Sequence, residues 1–348
     1  MASQIRVLVV DDSAFMRKVI TELLEAYDDI EVVTQARNGV DALKKLDRYS
    51  CDLITLDIEM PKMDGLEFLN KLMDQNPIPV VMLSSVTEEG SKATIKALEL
   101  GAFDFIPKPS GAISLDIQEV EEDLVRKVRL AAQSSWDYKG IVKKEDNVKR
   151  KVVSAPPSVD EKKILLIGAS TGGPRALKEI FSRLPGDLNA CGLVVQHMPA
   201  GFTNSLAKRL NRLSEFKVKE ASNGDELVPG QALVAPGDYH MLVKKGKVKL
   251  SQEAKQHNVR PAIDKTIETA VKEYGNRIIG VLLTGMGKDG VYGLEMIKES
   301  GGQTIAQDKK TSIVYGMPRM AYEAGVVDVV KPLSKIGEEI VKQVNIKN

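Results

Sequence analysis

The chain has 348 residues, 43% hydrophobic and 28% charged, enough for two hydrophobic cores of ordinary size. Lys+Arg 49 against Asp+Glu 48 leaves a formal charge of +1, which argues against a nucleic-acid binder or a protein drawn to anionic membrane. The N-terminus lacks a basic segment followed by a long apolar run, and no run approaches the roughly 20 apolar residues that span a bilayer, so a soluble, cytoplasmic chain without membrane insertion is expected.

From Ile5 to about Leu130, short β-branched runs alternate with segments of helical period: IRVLVV, SAFMRKVITELLEAY, EVVTQA, GVDALKKLD, DLITLDI, GLEFLNKLMDQ, PVVMLSS, TIKALELG, AFDFIPK and VEEDLVRKVRLAA. Such alternation predicts a doubly wound parallel sheet with helices on both faces, and residues 1–130 form the first expected domain. From roughly Gln133 to Glu161 the periodicity stops, KKEDNVKRK followed by SAPPS reads as solvated, and residues 131–161 form the expected linker. KILLIG then opens a second alternating region over 162–348, again α/β with a mostly parallel sheet and a small hairpin at HMLVKKGKVKLS. Cys51 and Cys191 lie in different halves beside apolar runs, and buried free thiols are expected.

In a parallel α/β sheet, ligands bind at the carboxyl ends of the strands. In the first half those ends carry Asp11-Asp12, Asp57, Ser84-Ser85 and Lys108-Pro109. Three converging carboxylates repel one another unless a hard cation such as Mg2+ sits among them. With Mg2+ and the Lys108 ammonium neutralising charge, Asp57 could attack a phosphoryl donor, and the Ser84 hydroxyl could bond the new phosphoryl oxygens. An Asp-Asp pair alone is usually a helix cap, but four strand ends with matching groups are hard to dismiss.

VVDDS, LDIEMPKMDGLEFL, VVMLSS and FIPKP together resemble the receiver domain of response regulators, across the whole first half. The resemblance implies a flavodoxin-like fold with Asp57 as phospho-acceptor. It also implies Mg2+ organised by Asp11, Asp12, Asp57 and the Glu59 carbonyl, phosphoryl sensing by Ser84 and Lys108, and Phe105 as the switch aromatic.

In the second half, KILLIGASTGGPRALKEI reads as strand, tight turn and helix. Gly168, Ser170 and Gly172 fit G-x-S-x-G, in which small residues let a strained turn lift a serine hydroxyl above the sheet. Pro174 suits the first helical position, and the helix N-terminus favours an oxyanion near Ser170. A Gly-rich turn of this kind serves a dinucleotide pyrophosphate equally well. Gln196-His197 then stands where a dinucleotide fold would want an acidic residue. Of the three histidines, only His197 follows an apolar strand, while His240 and His257 sit beside turns and read as solvated or capping. Asp289, in TGMGKDG after RIIGVLLTG, is the expected orienter of the imidazole, with Asp238, Asp264 and Asp308 as rivals. The resulting order Ser, His, Asp differs from that of α/β-hydrolases.

GASTGGP, QHMPAGFT, NVRPAID, TGMGKDG and VYGMPRMAYEAGVVD resemble the catalytic domain of the chemotaxis protein-glutamate methylesterases, the CheB family, whose members also carry a receiver. The resemblance implies phosphorylation-regulated hydrolysis of glutamate γ-methyl esters on methylated transmembrane chemoreceptors, with glutamine deamidation in many members. Ser170 would be nucleophile, His197 base then acid and Asp289 orienter, with the backbone N–H groups of Thr171 and Met286 as oxyanion hole. No cofactor is expected for the esterase reaction. A chemotaxis histidine kinase is the expected phosphodonor, nucleic acid is not an expected partner, and the chain is expected to be a monomer. The alternative is a receiver-controlled nucleotide-binding or DNA-binding output protein.

Overall fold

The computed structural model describes residues 4–108, 116–134 and 162–346, in two compact units that divide between Asn147 and Val148. The first unit runs β1 (Ile5–Val10), α1 (Ala14–Glu25), β2 (Ile30–Ala36), α2 (Gly39–Leu46), β3 (Leu53–Asp57) and α3 (Gly65–Gln75). It continues through β4 (Val80–Ser84), α4 (Glu88–Leu100), β5 (Asp104–Pro107) and α5 (Asp116–Gln133). Its five strands lie in the order β2-β1-β3-β4-β5, every pair parallel. Val7 to Val10 and Leu53 to Asp57 are buried along their whole length, as strands covered on both faces must be. Ser13, Asn38, Asp64 and Thr87 cap α1 to α4 by accepting a backbone N–H three residues on, which fixes where each strand-end loop turns into its helix.

The expected boundary at 130 falls inside α5: the helical period carries Ala131 into the same buried stripe as Leu124, Val125 and Val128, so the helix runs on to Gln133. Most of the expected linker, 135–161, lies outside the described residues, as does Pro109.

The second unit opens with β6 (Lys163–Ala169), α6 (Gly173–Phe181), β7 (Ala190–Gln196), α7 (Phe202–Leu213), β8 (Lys217–Glu220) and β9 (Gln231–Val234). The hairpin β10 (His240–Lys244) and β11 (Lys247–Ser251) follows where a hairpin is expected, its strands antiparallel. Then come α8 (Ile263–Tyr274), β12 (Ile278–Leu282), α9 (Val291–Glu299), β13 (Gln303–Gln307), α10 (Met317–Glu323), β14 (Val329–Lys331) and α11 (Leu333–Val344). The sheet is seven-stranded, β14-β13-β12-β6-β7-β9-β8, with every pair parallel. Ile164, Leu166, Leu193 and Leu282 of the sheet share one buried cluster with Ile263 and Ile267 of α8, Leu294 and Ile297 of α9, and Met241 and Val243 of β10. Each such side chain contributes about 1.5–3 kcal/mol by leaving water, so the cluster anchors α8 and α9 against β6 and β12.

Strand order places the site. The chain winds outward from β6 through β7 in one direction and returns to β12, on the other side of β6, before winding outward again. The crevice at that reversal lies between the carboxyl ends of β6 and β12. Both cysteines are free as expected; Cys191 is buried on β7 and Cys51 is only half-buried ahead of β3. Among the described residues no helix is long and apolar enough to cross a membrane.

Candidate functional site

At the carboxyl edge of the first sheet, Asp11 and Asp57 are buried, and Asp12 and Glu59 are exposed. Lys108 Nζ stands 2.9 Å from Asp11 Oδ2 and 2.8 Å from Asp57 Oδ1. The Ile58 amide donates to the same Asp57 oxygen at 2.7 Å. Burial pushes the Asp57 carboxyl up to about 6 against the pull of Lys108, with Asp11 adding to the rise. One lysine does not balance three carboxylates, whose oxygens approach within 4.8 Å of one another. That all-oxygen donor set fits a hard divalent cation.

Ser84 closes β4 and Phe105 lies in β5. The buried Ser84 hydroxyl lies 2.5 Å from Thr94 Oγ1 on α4, and Thr94 in turn donates to the Gly90 carbonyl at 2.8 Å. Phe105 is 3% exposed, with its ring packed inward, and its carbonyl accepts from Lys127 Nζ at 2.6 Å.

In the second unit Ser170 follows β6 and His197 follows β7. The register pairs Ala169 with Gln196, and the His197 amide donates to the Ala169 carbonyl at 3.0 Å, so nucleophile and imidazole leave the sheet side by side. Gly172 adopts φ +80, a left-handed turn that a side chain resists, and this turn feeds the chain straight into α6. Gly285, in the loop after β12, comes so near that a Cβ on it would lie 2.6 Å from Ser170 Cβ.

His197 Nε2 lies 2.8 Å from Asp289 Oδ2. The Ile263 and Asp264 amides at the start of α8 donate to the same carboxylate at 2.7 and 3.0 Å. Burial would raise the Asp289 carboxyl, but the His197 contact and these amides hold it below the usual carboxylate range. With Nε2 turned to the carboxylate, Nδ1 is the nitrogen left to receive a proton. This reverses the edge used in the Ser-His-Asp arrangement of the chymotrypsin type. The Ser170 hydroxyl forms no hydrogen bond among the described residues; such contacts commonly tighten only when substrate arrives.

Asp289 therefore stands apart from its rivals. Asp238 pairs with Arg260, and Asp308 accepts from the Thr311 amide at 3.0 Å. His240 is buried rather than solvated: its Nδ1 accepts from the Ala262 amide at 3.2 Å, because β10 opens under α8. His257 faces Asp264 at 3.2 Å.

Two residues join the site that spacing alone did not single out. Gln196 is 2% exposed, and its Nε2 donates to the Ser170 carbonyl at 3.0 Å and to the His197 carbonyl at 3.1 Å, bridging the two backbones. Thr284 joins the serine turn to the β12 loop: its carbonyl accepts from the Ser170 amide at 3.0 Å and its hydroxyl donates to the Thr171 carbonyl at 2.9 Å. The adjacency of Gln196 to His197 and the place of Thr284 at the head of TGMGKDG were the only signals available. Gln196→Leu leaves the half-buried Ser170 and His197 carbonyls without that donor, so urea unfolding should show a loss of about 1–3 kcal/mol.

Comparison with known proteins agrees with this layout. The family model for the response regulator receiver domain matches residues 7–117, and the CheB methylesterase family model matches residues 165–340. A protein-glutamate methylesterase/protein-glutamine glutaminase of Pyrococcus horikoshii is 48% identical over 99% of this chain and 95% of its own length. One so named from Symbiobacterium thermophilum is 48% identical over 98% and 97%. The crystal structure of the Thermotoga maritima CheB methylesterase catalytic domain is 48% identical, with TM-score 0.51, and is matched over 52% of this chain and 98% of that one. These matches replace the alternative of a nucleotide-binding or DNA-binding output.

Proposed function

Because the chain belongs to the CheB methylesterase family, with a response-regulator receiver ahead of the esterase domain, we propose that it is a phosphorylation-regulated protein-glutamate methylesterase that also deamidates receptor glutamines in chemotactic adaptation. Its substrates are the methylated γ-carboxyls of transmembrane chemoreceptors, reached from the cytoplasm, and its phosphodonor is a chemotaxis histidine kinase. The observation that carries the reading is the His197–Asp289 couple at 2.8 Å, at the same sheet edge as the serine turn.

In this reading the Ser170 hydroxyl attacks the ester carbonyl carbon as His197 Nδ1 takes its proton. The oxygen that becomes negative is bound by the backbone N–H groups of Thr171 and Met286, at the head of α6 and in the loop drawn in by Gly285. The C–OCH3 bond then breaks, methanol leaves with the proton from His197, and the acyl group stays on Ser170. Water, deprotonated by the same nitrogen, attacks the acyl-enzyme, the C–Oγ bond breaks, Ser170 Oγ takes the proton back from His197, and the free carboxylate is released. A glutamine substrate runs the same course with ammonia as leaving group. The Asp289 carboxylate keeps Nε2–H as the donor edge and offsets the positive charge that His197 carries midway.

In the first unit, Asp57 is the phospho-acceptor, and Asp11, Asp12, Asp57 and the Glu59 carbonyl hold Mg2+. The ion supplies neutralisation of phosphoryl charge when bound. Lys108 balances the remaining charge, and Ser84 and Phe105 report the phosphoryl group. For Ser84 this requires giving up Thr94, its 2.5 Å partner here.

The test is methanol release from methylated receptor membranes, with and without a small phosphodonor. Activity that rises with the phosphodonor is expected. Absence of methanol release under both conditions, from folded protein, overturns the reading.

A further inference from the structure

Behind Asp289 lies a second carboxylate that the reaction as derived leaves unused. Asp264, 2% exposed, sits in the first turn of α8. Neither α8 nor α9 receives a side-chain cap from its own N-cap residue, Ala262 and Gly290. Each is capped by the carboxylate of the other segment. Asp289 accepts from the Ile263 and Asp264 amides at 2.7 and 3.0 Å, while Asp264 Oδ1 accepts from the Gly290 and Gly293 amides at 2.9 and 2.8 Å. The loop that presents Asp289 to His197 is thereby tied to α8 from both sides.

Two carboxylates buried this close repel, and a third group answers the repulsion. His257 Nε2 stands 3.2 Å from Asp264 Oδ2, and one ligand-type atom from each of His257, Asp264 and Asp289 lies within 4.8 Å of the others. The imidazole is delivered by a tight turn in which His257 and Asn258 hold φ 53 and 62, closed by Gln256 and Val259 exchanging amide bonds at 3.1 and 3.0 Å. Left-handed backbone at two successive non-glycine residues is costly and persists where the surroundings enforce it. Here Arg260 supplies that anchor, donating to the Gln252 and Glu253 carbonyls at 2.9 and 2.8 Å.

Resting on the esterase reading above, we propose that Asp264 and His257 are positioning residues for this reaction: Asp264 fixes the backbone behind Asp289, and His257 holds Asp264 in place through the contact at 3.2 Å. The charged groups facing Asp264 are Asp289 from the loop before α9, His257 from the loop before α8 and, beyond Asp289, His197. Lys265, next on α8, is directed to Glu253 at 3.4 Å, and His240 on β10 is occupied by the Ala262 amide. Burial and then Asp289 push the Asp264 carboxyl up to about 6, against the Gly293 amide and His257, so of the two carboxylates Asp264 is the one that takes up a proton in mild acid.

In Asp264→Asn the amide oxygen still accepts from the glycine amides but carries no charge, so those bonds weaken and the loop that presents Asp289 is held less firmly. The looser loop should lower kcat by about 10- to 100-fold with KM little changed. His257→Ala and His257→Gln share the left-handed backbone cost, so their difference isolates the bond to Asp264. The glutamine variant should keep near wild-type kcat and the alanine variant should fall by about tenfold. Methanol release from methylated receptor membranes by the full chain reads all of these, with thermal unfolding of each variant beside them. Should Asp264→Asn prove insoluble, the His257 pair carries the test. Variants that lose stability while keeping the wild-type kcat overturn the proposal. Ser170→Ala assayed in parallel separates the two levels: activity in that variant sinks the esterase assignment itself, whereas its inactivity beside unchanged Asp264 and His257 variants sinks only the positioning role.

Discussion

Replacing Ser170 with alanine should lower methanol release from methylated receptor membranes by about 10,000-fold or more. The variant is informative because almost everything the residue does for the fold is done by its backbone. The Ser170 amide donates to Thr284 at 3.0 Å, and its carbonyl accepts from Gly173 at 2.7 Å and from Gln196 at 3.0 Å. None of these involves the hydroxyl, and alanine fits wherever serine does, so the turn and the His197–Asp289 couple should stand as before. Unfolding free energy should change by no more than about 0.5 kcal/mol. What disappears is the atom that becomes the acyl carrier. The backbone donors and the bound water can still assist direct hydrolysis, which is why the residual rate stays above that of water. Thermal unfolding confirms an intact fold, and the methanol assay then reads the chemistry alone. A folded Ser170→Ala protein that retains most of its activity would mean that another group attacks the ester.

The parts of this molecule that sequence alone made legible are those where position along the chain and position in space coincide. Asp57 closes an apolar strand and Asp11, Lys108, Ser170 and His197 each follow one directly, and a parallel sheet sends every such residue to its carboxyl edge. Asp289 was a weaker inference, since it stands seven residues beyond Leu282, in a loop where an aspartate usually just forms a turn. Its distinction from Asp264 rests on which carboxylate meets the imidazole, a relation between segments 92 residues apart. Gln196 was harder still. Its importance lies in two carbonyls, one in the turn after another strand, and a backbone carbonyl leaves no trace in the residue letter. The burial of His240 depended on α8 crossing the hairpin, which nothing near residue 240 announces. The end of α5 was legible in the helical period of VEEDLVRKVRLAA, which carries Ala131 inward.

Asp57→Asn should abolish the incorporation of phosphate from a small phosphodonor and, with it, the response of the esterase to that donor. The asparagine side chain nearly matches the aspartate in shape and can still accept from the Ile58 amide, now 2.7 Å from Asp57 Oδ1. An amide oxygen, however, is a poor nucleophile and forms no acyl phosphate. The substitution also alters the charge of the pocket. Lys108 stands 2.9 Å from Asp11 and 2.8 Å from Asp57, so removing one carboxylate leaves it to Asp11 and takes an anionic oxygen from the set that would hold Mg2+. Mg2+ affinity, followed by fluorescence or calorimetric titration of the full chain, should weaken in step. Labelled phosphoryl groups on the protein can be counted directly, and an acyl phosphate is recognised by its release with hydroxylamine. Ser84 and Lys108 supply the internal control. Neither side chain can replace a carboxylate as acceptor of an acyl phosphate, so hydroxylamine-labile label on Asp57→Asn at the wild-type level would show that a different carboxylate is modified. The ratio of esterase rates with and without phosphodonor should then fall to unity, and a ratio that stays at its wild-type value would detach phosphorylation of Asp57 from control of the second unit.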